Sequence, residues 1–294
     1  MATIHDKAYF NQKIVPIAQA HLSVASAAVL YGLSIYTVFY VLPEKGRFRA
    51  FRLQQHYDRL RSSAKIIGLD WPKNLSFDKF QELVKGLLDA NSPDEPVFVR
   101  ATVHADGLLP GTRSRGVSTQ LSMFIYTATP IMKSSGVRLK TSQWRRIPDN
   151  SIPSRAKVNG AYVNSVLAHQ DALDAGYDDC IFLDQSGHVC ELAAANIFMV
   201  RDGRLITPDT SSDLLEGINR RAIIEMAEAA GISVQERTVD LTELYIADEV
   251  FVCGTSAFVA SVAEIDGRKL DGENSITQKI AILHAEALRS GDVL

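Results

Sequence analysis

Lys157 stands in Ser154-Arg155-Ala156-Lys157-Val158-Asn159-Gly160, behind Pro153 and ahead of an apolar stripe of Val158, Tyr162 and Val166. The spacing predicts a helix over 158–175, stopped by Gly176, with Lys157 at its start. An ammonium beside Arg155 and a helix N-terminus feels positive potential and loses water, so its pKa should fall. The amine is then a nucleophile able to form a Schiff base with a carbonyl. The alternative is an ordinary solvated lysine.

Glu191 lies in Val189-Cys190-Glu191-Leu192-Ala193-Ala194-Ala195, a carboxylate among small apolar residues. If buried it needs a cationic or protonated partner, for which a pyridinium nitrogen is one candidate; otherwise it is an acid at a strand end facing water. In Leu215-Glu216-Gly217-Ile218-Asn219-Arg220 a glycine precedes a helix start, whose free amides suit an anion such as phosphate. Arg59, on the polar side of its helix, and the Gly254-Thr255-Ser256 turn could grip the same kind of anion. The histidines and cysteines lack metal-ligand spacing, so no metal is expected. Neither a Gly-x-Ser-x-Gly elbow nor a nucleotide-binding glycine loop is present.

The elements that must carry these groups follow from periodicity and turn chemistry. A β-rich run, Ile35–Leu42, forms a hairpin with Phe48–Phe51 across Pro43-Glu44-Lys45-Gly46. Helices are predicted over 52–67, with Gly68 as the stop, and over 77–88. Paired strands at 97–103 and 120–126 flank a long loop, 106–114, of the kind that is mobile or functional. Later come strands at 137–140 and 180–183, and a hairpin of 196–200 with 204–207 turning at Asp202-Gly203. A helix over 218–230 is capped by Gly231, and a strand at 249–252 runs into Gly254-Thr255-Ser256-Ala257. The division expected is a domain of residues 1–126, a linker at 127–136 and a second domain of 137–294, both α+β.

Composition closes off other classes. The chain has 294 residues, 46% hydrophobic and 22% charged, and its net charge of −3 comes without long single-sign blocks, so nucleic acid is not expected as a partner. Cys180, Cys190 and Cys253 form no Cys-x-x-Cys pair, which fits free thiols in the cytosol. The start, Met1 to Lys7, lacks the flank of a secretory signal, and no apolar run approaches the ~18 residues of a membrane span.

Read as one string, Glu191, four residues, Asn196-Ile197-Phe198, six residues, Leu205-Ile206-Thr207, seven residues and Leu215-Glu216-Gly217-Ile218-Asn219-Arg220 resemble the signature of the class IV pyridoxal-phosphate aminotransferases. The resemblance extends to Lys157 with Tyr162, to His56–Leu60 and to Leu30-Tyr31-Gly32-Leu33-Ser34, nearly the whole chain. It implies the α+β fold-type IV architecture: a small N-terminal α/β domain, a larger C-terminal pseudo-barrel α/β domain, the cofactor pyridoxal 5'-phosphate between them, and a homodimer with active sites near the interface. It implies that Lys157 is the catalytic amine, Glu191 the partner of the ring nitrogen and Tyr162 that of the ring hydroxyl. Arg59, Ile218, Asn219 and Thr255 would hold the phosphate.

The implied substrate side comprises Tyr31, Tyr36, Val38, Phe98, Arg100, Ser256 and Ala257. Several positions depart from the branched-chain pattern. Tyr36-Thr37-Val38 stands where Phe-Glu-Gly is usual, and Phe98-Val99-Arg100 where Tyr-x-Arg is usual. Thr37 resembles the lyases, Asn219 replaces a common Thr, and Ala194 a frequent Gly. The implied activity is transfer of an amino group between an apolar, branched-chain-like amino acid or amine and a 2-oxo acid such as 2-oxoglutarate. The alternatives are a D-amino-acid or (R)-amine transaminase, an aminodeoxychorismate-type lyase, and a catalytically silent binding protein of the same fold. Phe98 and Arg100 share one strand face by the period of two, as the ligand-facing Tyr-x-Arg pair of the family does, so the resemblance implies that Arg100 reads a substrate carboxylate; the alternative is an ion pair with an acid elsewhere in the small domain.

Overall fold

The computed structural model describes residues 2–44 and 46–294; Met1 and Lys45, the latter in the Pro43–Gly46 loop, lie outside the described residues. Up to residue 129 the chain forms β1 (Ile4–Phe10), β2 (Lys13–Pro16), α1 (Ala27–Tyr31), β3 (Ser34–Glu44), β4 (Arg47–Ala50), α2 (Leu53–Ile67), α3 (Phe77–Asn91), β5 (Val97–Ala105) and β6 (Thr119–Thr127). Then follow β7 (Val137–Thr141), α4 (Tyr162–Asp174), β8 (Asp179–Leu183), β9 (Val189–Leu192), β10 (Asn196–Arg201), β11 (Arg204–Thr207) and α5 (Ile218–Ala229). The chain continues with β12 (Val234–Glu236), α6 (Leu241–Leu244), β13 (Glu249–Gly254), β14 (Phe258–Ile265), β15 (Arg268–Lys269), α7 (Ser275–Arg289) and β16 (Asp292–Val293).

These elements make two compact units. The first contains the chain up to Thr129 together with Ala156–Ala161 and Ala287–Leu294; the second contains Pro130–Arg155 and Tyr162–Glu286. The expected second domain, 137–294, thus loses two segments to the first unit. The cause is backbone pairing. Tyr36 N donates to Lys157 O and Asn159 N to Ser34 O, Val158 bridges Ile35, and β16 pairs with β4. The same bonds shorten the expected helix over 158–175, which begins only at Tyr162. Residues 157–159 give their backbone groups to β3, so Lys157 is not at a helix N-terminus and gains nothing from a helix dipole.

The first unit is an antiparallel seven-stranded sheet in the order β16-β4-β3-β5-β6-β1-β2. Alternation along β3 sends Ile35, Phe39 and Val41 into the core with Leu60 of α2 and Phe80 of α3, and Tyr36 and Val38 to the other face. α2 ends where expected, at Gly68 with φ 70°, whose N–H returns to Ala64 O. On β5, His104 Nε2 lies 2.7 Å from Ser122 Oγ, and burial, with the Arg100 charge next, lowers its pKa to about 4 from the ordinary 6.5. Below pH 6.5 the unfolded chain binds a proton that the folded chain refuses, so stability falls as pH drops from 6.5 to about 4 and levels off below. Thermal melts of His104→Gln should show a smaller loss over that window; an unchanged profile would count against the assignment.

The second unit holds a nine-stranded mixed sheet, β12-β11-β10-β13-β14-β7-β8-β9, with β15 on β14. β7 and β8 are parallel across α4, and β11 and β12 are parallel across α5, each a βαβ crossover. β9, at one end of the order, runs into β10 through three residues, with Leu192 N bonded to Ala195 O, so the sheet curls back on itself. The hairpin β10–β11 turns at Asp202 and Gly203, both with positive φ (50° and 70°), as the dipeptide predicts. α4 departs from expectation. Its buried face is Ser165, Ala168 and Ala172, small residues packed near Cys180 and Phe182, while Val163 and Val166 are 65% and 63% exposed. The stripe of Val158, Tyr162 and Val166 is therefore not its core face.

Candidate active site

In the first unit the expected site residues gather around β3. The Tyr36 ring lies under two cations, with the Lys157 ammonium 4.9 Å and the Arg100 guanidinium 3.7 Å from its centroid. Register explains this: Arg100 on β5 is opposite Val38 on β3, one step diagonal from Tyr36 on the same face. Arg100 Nη2 donates to Asn159 Oδ1 at 2.5 Å, and Asn159 Nδ2 donates to Ser34 Oγ at 2.8 Å. The guanidinium is thus held by an amide and a ring. Phe98 is fully buried on that face, its ring 6.2 Å from Tyr40 and 5.5 Å from Tyr126. Val38 is buried, and Tyr31 ends α1 with 48% of its surface exposed.

On the opposite strand face Thr37 Oγ1 lies 2.7 Å from His56 Nδ1 and accepts from Arg59 Nη2 at 3.2 Å. Ser63, one turn beyond Arg59 on α2, donates to Arg59 O and accepts from Lys157 N at 3.1 Å. One helix therefore supports both the guanidinium of Arg59 and the backbone of Lys157. Burial, then the charges of Arg59 and Lys157, push His56 well below the usual histidine range, so the imidazole between the two cations is neutral. Arg155, expected beside Lys157, is drawn off by Glu216 at 2.9 Å and Asp149 at 3.2 Å. Arg59, through His56, and Arg100, over the Tyr36 ring, are the cations that share the surroundings of Lys157.

In the second unit Glu191 is buried on β9 and has a cationic partner within the chain. Arg146 Nη2 is 2.9 Å from Oε1, while Oε2 accepts from Asn196 Nδ2 and Leu215 N, each at 3.1 Å. With Arg146 and Glu191 both largely buried, this is a desolvated pair in which both carboxylate oxygens accept, while Arg146 Nε is buried without a hydrogen-bond partner. α5 opens at Gly217 with no side-chain cap and no acid in its first turn among the described residues. A Cβ at Gly217 would sit 2.1 Å from Asn196 Oδ1, so only glycine leaves the Asn196–Glu191 contact intact. Asn219 Nδ2 donates to Thr255 Oγ1 at 3.1 Å, and Asn219 Oδ1 lies 2.7 Å from His284 Nε2. Thr255, Ser256 and Ala257 form the β13–β14 turn, with Ser256 O accepting from Ile131 N. Ile218, buried, opens α5, and Tyr162, half-buried, opens α4.

Sequence spacing missed Arg146, Asn159, Ser63 and His284, each a partner of an expected site residue from a distant segment. A local pattern contains no sign of them.

The model of the amino-transferase class IV family matches residues 35–265. A probable branched-chain-amino-acid aminotransferase of Synechocystis is 36% identical over 276 residues, 93% of this chain and 89% of the relative. A branched-chain aminotransferase from Thermoproteus uzoniensis, solved with norvaline, superposes with a TM-score of 0.93 at 33% identity, covering 97% of this chain and 95% of that one. A branched-chain amino acid aminotransferase from Thermobaculum terrenum, in its PLP holo form, gives a TM-score of 0.90 at 29% identity, covering 98% and 95%. Its fold is the mixed α+β fold of these enzymes, and the chain belongs to the class IV aminotransferases.

Proposed function

We propose that the protein is a pyridoxal-phosphate aminotransferase that exchanges an amino group between an apolar, branched-chain-like amino acid and a 2-oxo acid such as 2-oxoglutarate. The observation that carries this is the pairing of an amine, Lys157, and a guanidinium, Arg100, on the one ring of Tyr36. An amine and a guanidinium over one aromatic ring support the reading of Lys157 as the proton-transfer group and Arg100 as the carboxylate reader.

The residues fit the cofactor on their own chemistry. The first turn of α5 offers amides without a competing cap, Thr255 a hydroxyl, Arg59 a guanidinium and Glu191 a buried carboxylate. Pyridoxal phosphate, when bound, supplies the electron sink for the carbanion left at the substrate α-carbon. Lys157 would hold the cofactor through its amine and would carry the proton at the substrate α-carbon. Glu191, its two oxygens fixed by Arg146, Asn196 and Leu215 N, would pair with the ring nitrogen, and Tyr162 would bond the ring hydroxyl. By the family resemblance, the Ile218 and Asn219 amides and Thr255 would hold the phosphate, as would Arg59. Tyr31, Tyr36, Val38 and Phe98 shape the apolar side, and Ser256 and Ala257 contribute turn amides. Thr37, the residue that resembles the lyases, is fully buried with its hydroxyl engaged by His56 and Arg59, away from Tyr36 and Val38.

A homodimer is part of the same proposal. Val163 and Val166 on α4 and Leu108 and Leu109 in the loop are exposed apolar side chains, of the kind a partner covers. Sedimentation should return twice 32.3 kDa. A cytosolic location is supported by three buried free cysteines. No helix among the described residues is long and apolar enough to cross a membrane.

The decisive experiment is a half-reaction. L-Leucine should discharge the visible band of the bound cofactor, and 2-oxoglutarate should restore it. Discharge by D-alanine or an (R)-amine alone would reassign the donor, and pyruvate release from aminodeoxychorismate would indicate the lyase.

Two variants separate the roles. Arg59→Ala should raise the cofactor dissociation constant about 10- to 100-fold, the worth of a charge-assisted phosphate contact, with a smaller effect on the chemical step. Unchanged affinity in equilibrium titration would return Arg59 to a structural bond with Thr37. Arg100→Ala should lower kcat/KM for 2-oxoglutarate about tenfold or more while sparing 4-methyl-2-oxopentanoate, since only the dicarboxylate loses a second charged contact. Equal falls for both acceptors, with a lower melting temperature, would make Arg100 structural.

A further inference from the structure

Three polar side chains of the second unit form a chain with a direction. His284 Nε2 lies 2.7 Å from Asn219 Oδ1, and Asn219 Nδ2 donates to Thr255 Oγ1 at 3.1 Å. A carboxamide oxygen only accepts, so His284 carries a proton on Nε2 and donates it to Asn219. That bond holds the NH2 group of Asn219 toward Thr255. A hydroxyl oxygen that accepts from Asn219 keeps its own O–H for a different acceptor. His284 and Asn219 are 2% and 4% exposed, so water does not compete to turn the carboxamide over. Were it turned over, its oxygen would take the Thr255 proton, and the hydroxyl would present only lone pairs to an anion.

We propose that His284 is a positioning residue that acts through Asn219 to make Thr255 a hydrogen-bond donor toward the cofactor phosphate. The relay rests on the reading above that Thr255 and the first turn of α5 hold that phosphate. A phosphate dianion has acceptor oxygens only, so a hydroxyl aimed as a donor attracts it and one aimed as an acceptor repels it. His284 lies on α7, 65 residues beyond Asn219, so the C-terminal helix sets phosphate affinity without touching the ligand.

The test compares dissociation constants of the full-length apoprotein for pyridoxal phosphate and for pyridoxal, which lacks the phosphate. His284→Leu should weaken pyridoxal phosphate about tenfold and leave pyridoxal within about twofold, whereas general damage to the fold would weaken both. His284→Gln, whose side-chain amide can donate to Asn219, should recover most of the loss. Adding His284→Leu to Thr255→Val should cost nothing further, because the hydroxyl being aimed is already gone. Should His284→Leu fail to fold, Asn219→Asp serves: its carboxylate accepts from both neighbours, and it should weaken the phosphorylated ligand selectively.

If Thr255→Val leaves pyridoxal phosphate affinity unchanged, the phosphate is not held at Thr255 and the functional reading of that turn falls. The relay itself is overturned by any of three results with Thr255→Val still deleterious. They are unchanged affinity in His284→Leu or Asn219→Asp, equal weakening of pyridoxal, and full additivity with Thr255→Val.

Discussion

Lys157→Ala is expected to abolish turnover, by about four orders of magnitude or more, because it removes both the anchoring amine and the proton carrier. The fold should survive. Lys157 is positioned by its backbone, through Tyr36 N to its carbonyl and its N–H to Ser63, and alanine keeps both bonds. The lysines that precede it in the second unit have partners of their own: Lys133 is paired with Asp178 at 3.0 Å, and Lys140 lies over the Tyr177 ring at 5.5 Å. Borohydride reduction of the loaded enzyme, followed by peptide mapping, should place the cofactor on the peptide containing Lys157. Recovery on Lys133 or Lys140, or near-normal turnover of the variant, would sink the assignment.

Glu191→Gln should slow the half-reaction by two or more orders of magnitude (~100-fold) with the cofactor still bound, because a neutral amide cannot keep the ring nitrogen protonated. The structure adds a second effect. Both carboxylate oxygens accept from N–H donors, so one end of a glutamine would present N–H2 to another donor and leave the buried Arg146 without its countercharge. A lower melting temperature should accompany the slower chemistry. The two effects separate in measurement: a thermal loss with half-reaction rates within a few-fold of wild type would show that Glu191 serves Arg146 alone.

What could be read in advance was whatever depends on near neighbours in the chain. Asp202-Gly203 dictates its turn, Gly68 stops α2, and the alternation of 97–103 and 120–126 gives the β5–β6 pair. The Glu191 to Arg220 string marked a carboxylate and a helix start that proved to be a buried acid and an uncapped α5. Residues 157–160 misled because their apolar spacing continues that of α4 while their backbone is claimed by β3, a strand more than a hundred residues earlier. Propensity yields there to tertiary pairing. β1 was not singled out because its burial fails to alternate, and α7 because its role depends on Glu249 accepting from Ile276 and Thr277. Arg146 and His284 are unremarkable as letters; only three-dimensional proximity gives them partners.

The return of Gly291 to Val293 to β4 has a consequence for biosynthesis. Arg49 bonds Gly291 O across 242 residues, and a Cβ at Gly291 would sit 2.7 Å from Ala50 O, so this strand fits one groove and no bulkier residue. While the ribosome is still making the second unit, β4 is an edge with unpaired backbone groups, the kind of template on which nascent chains aggregate. The first unit, begun earliest, is finished last. Deleting Ala287–Leu294 should therefore damage the sheet on which α2, with Arg59, packs and to which the Lys157 backbone is bonded, although the deleted residues are far from both in sequence.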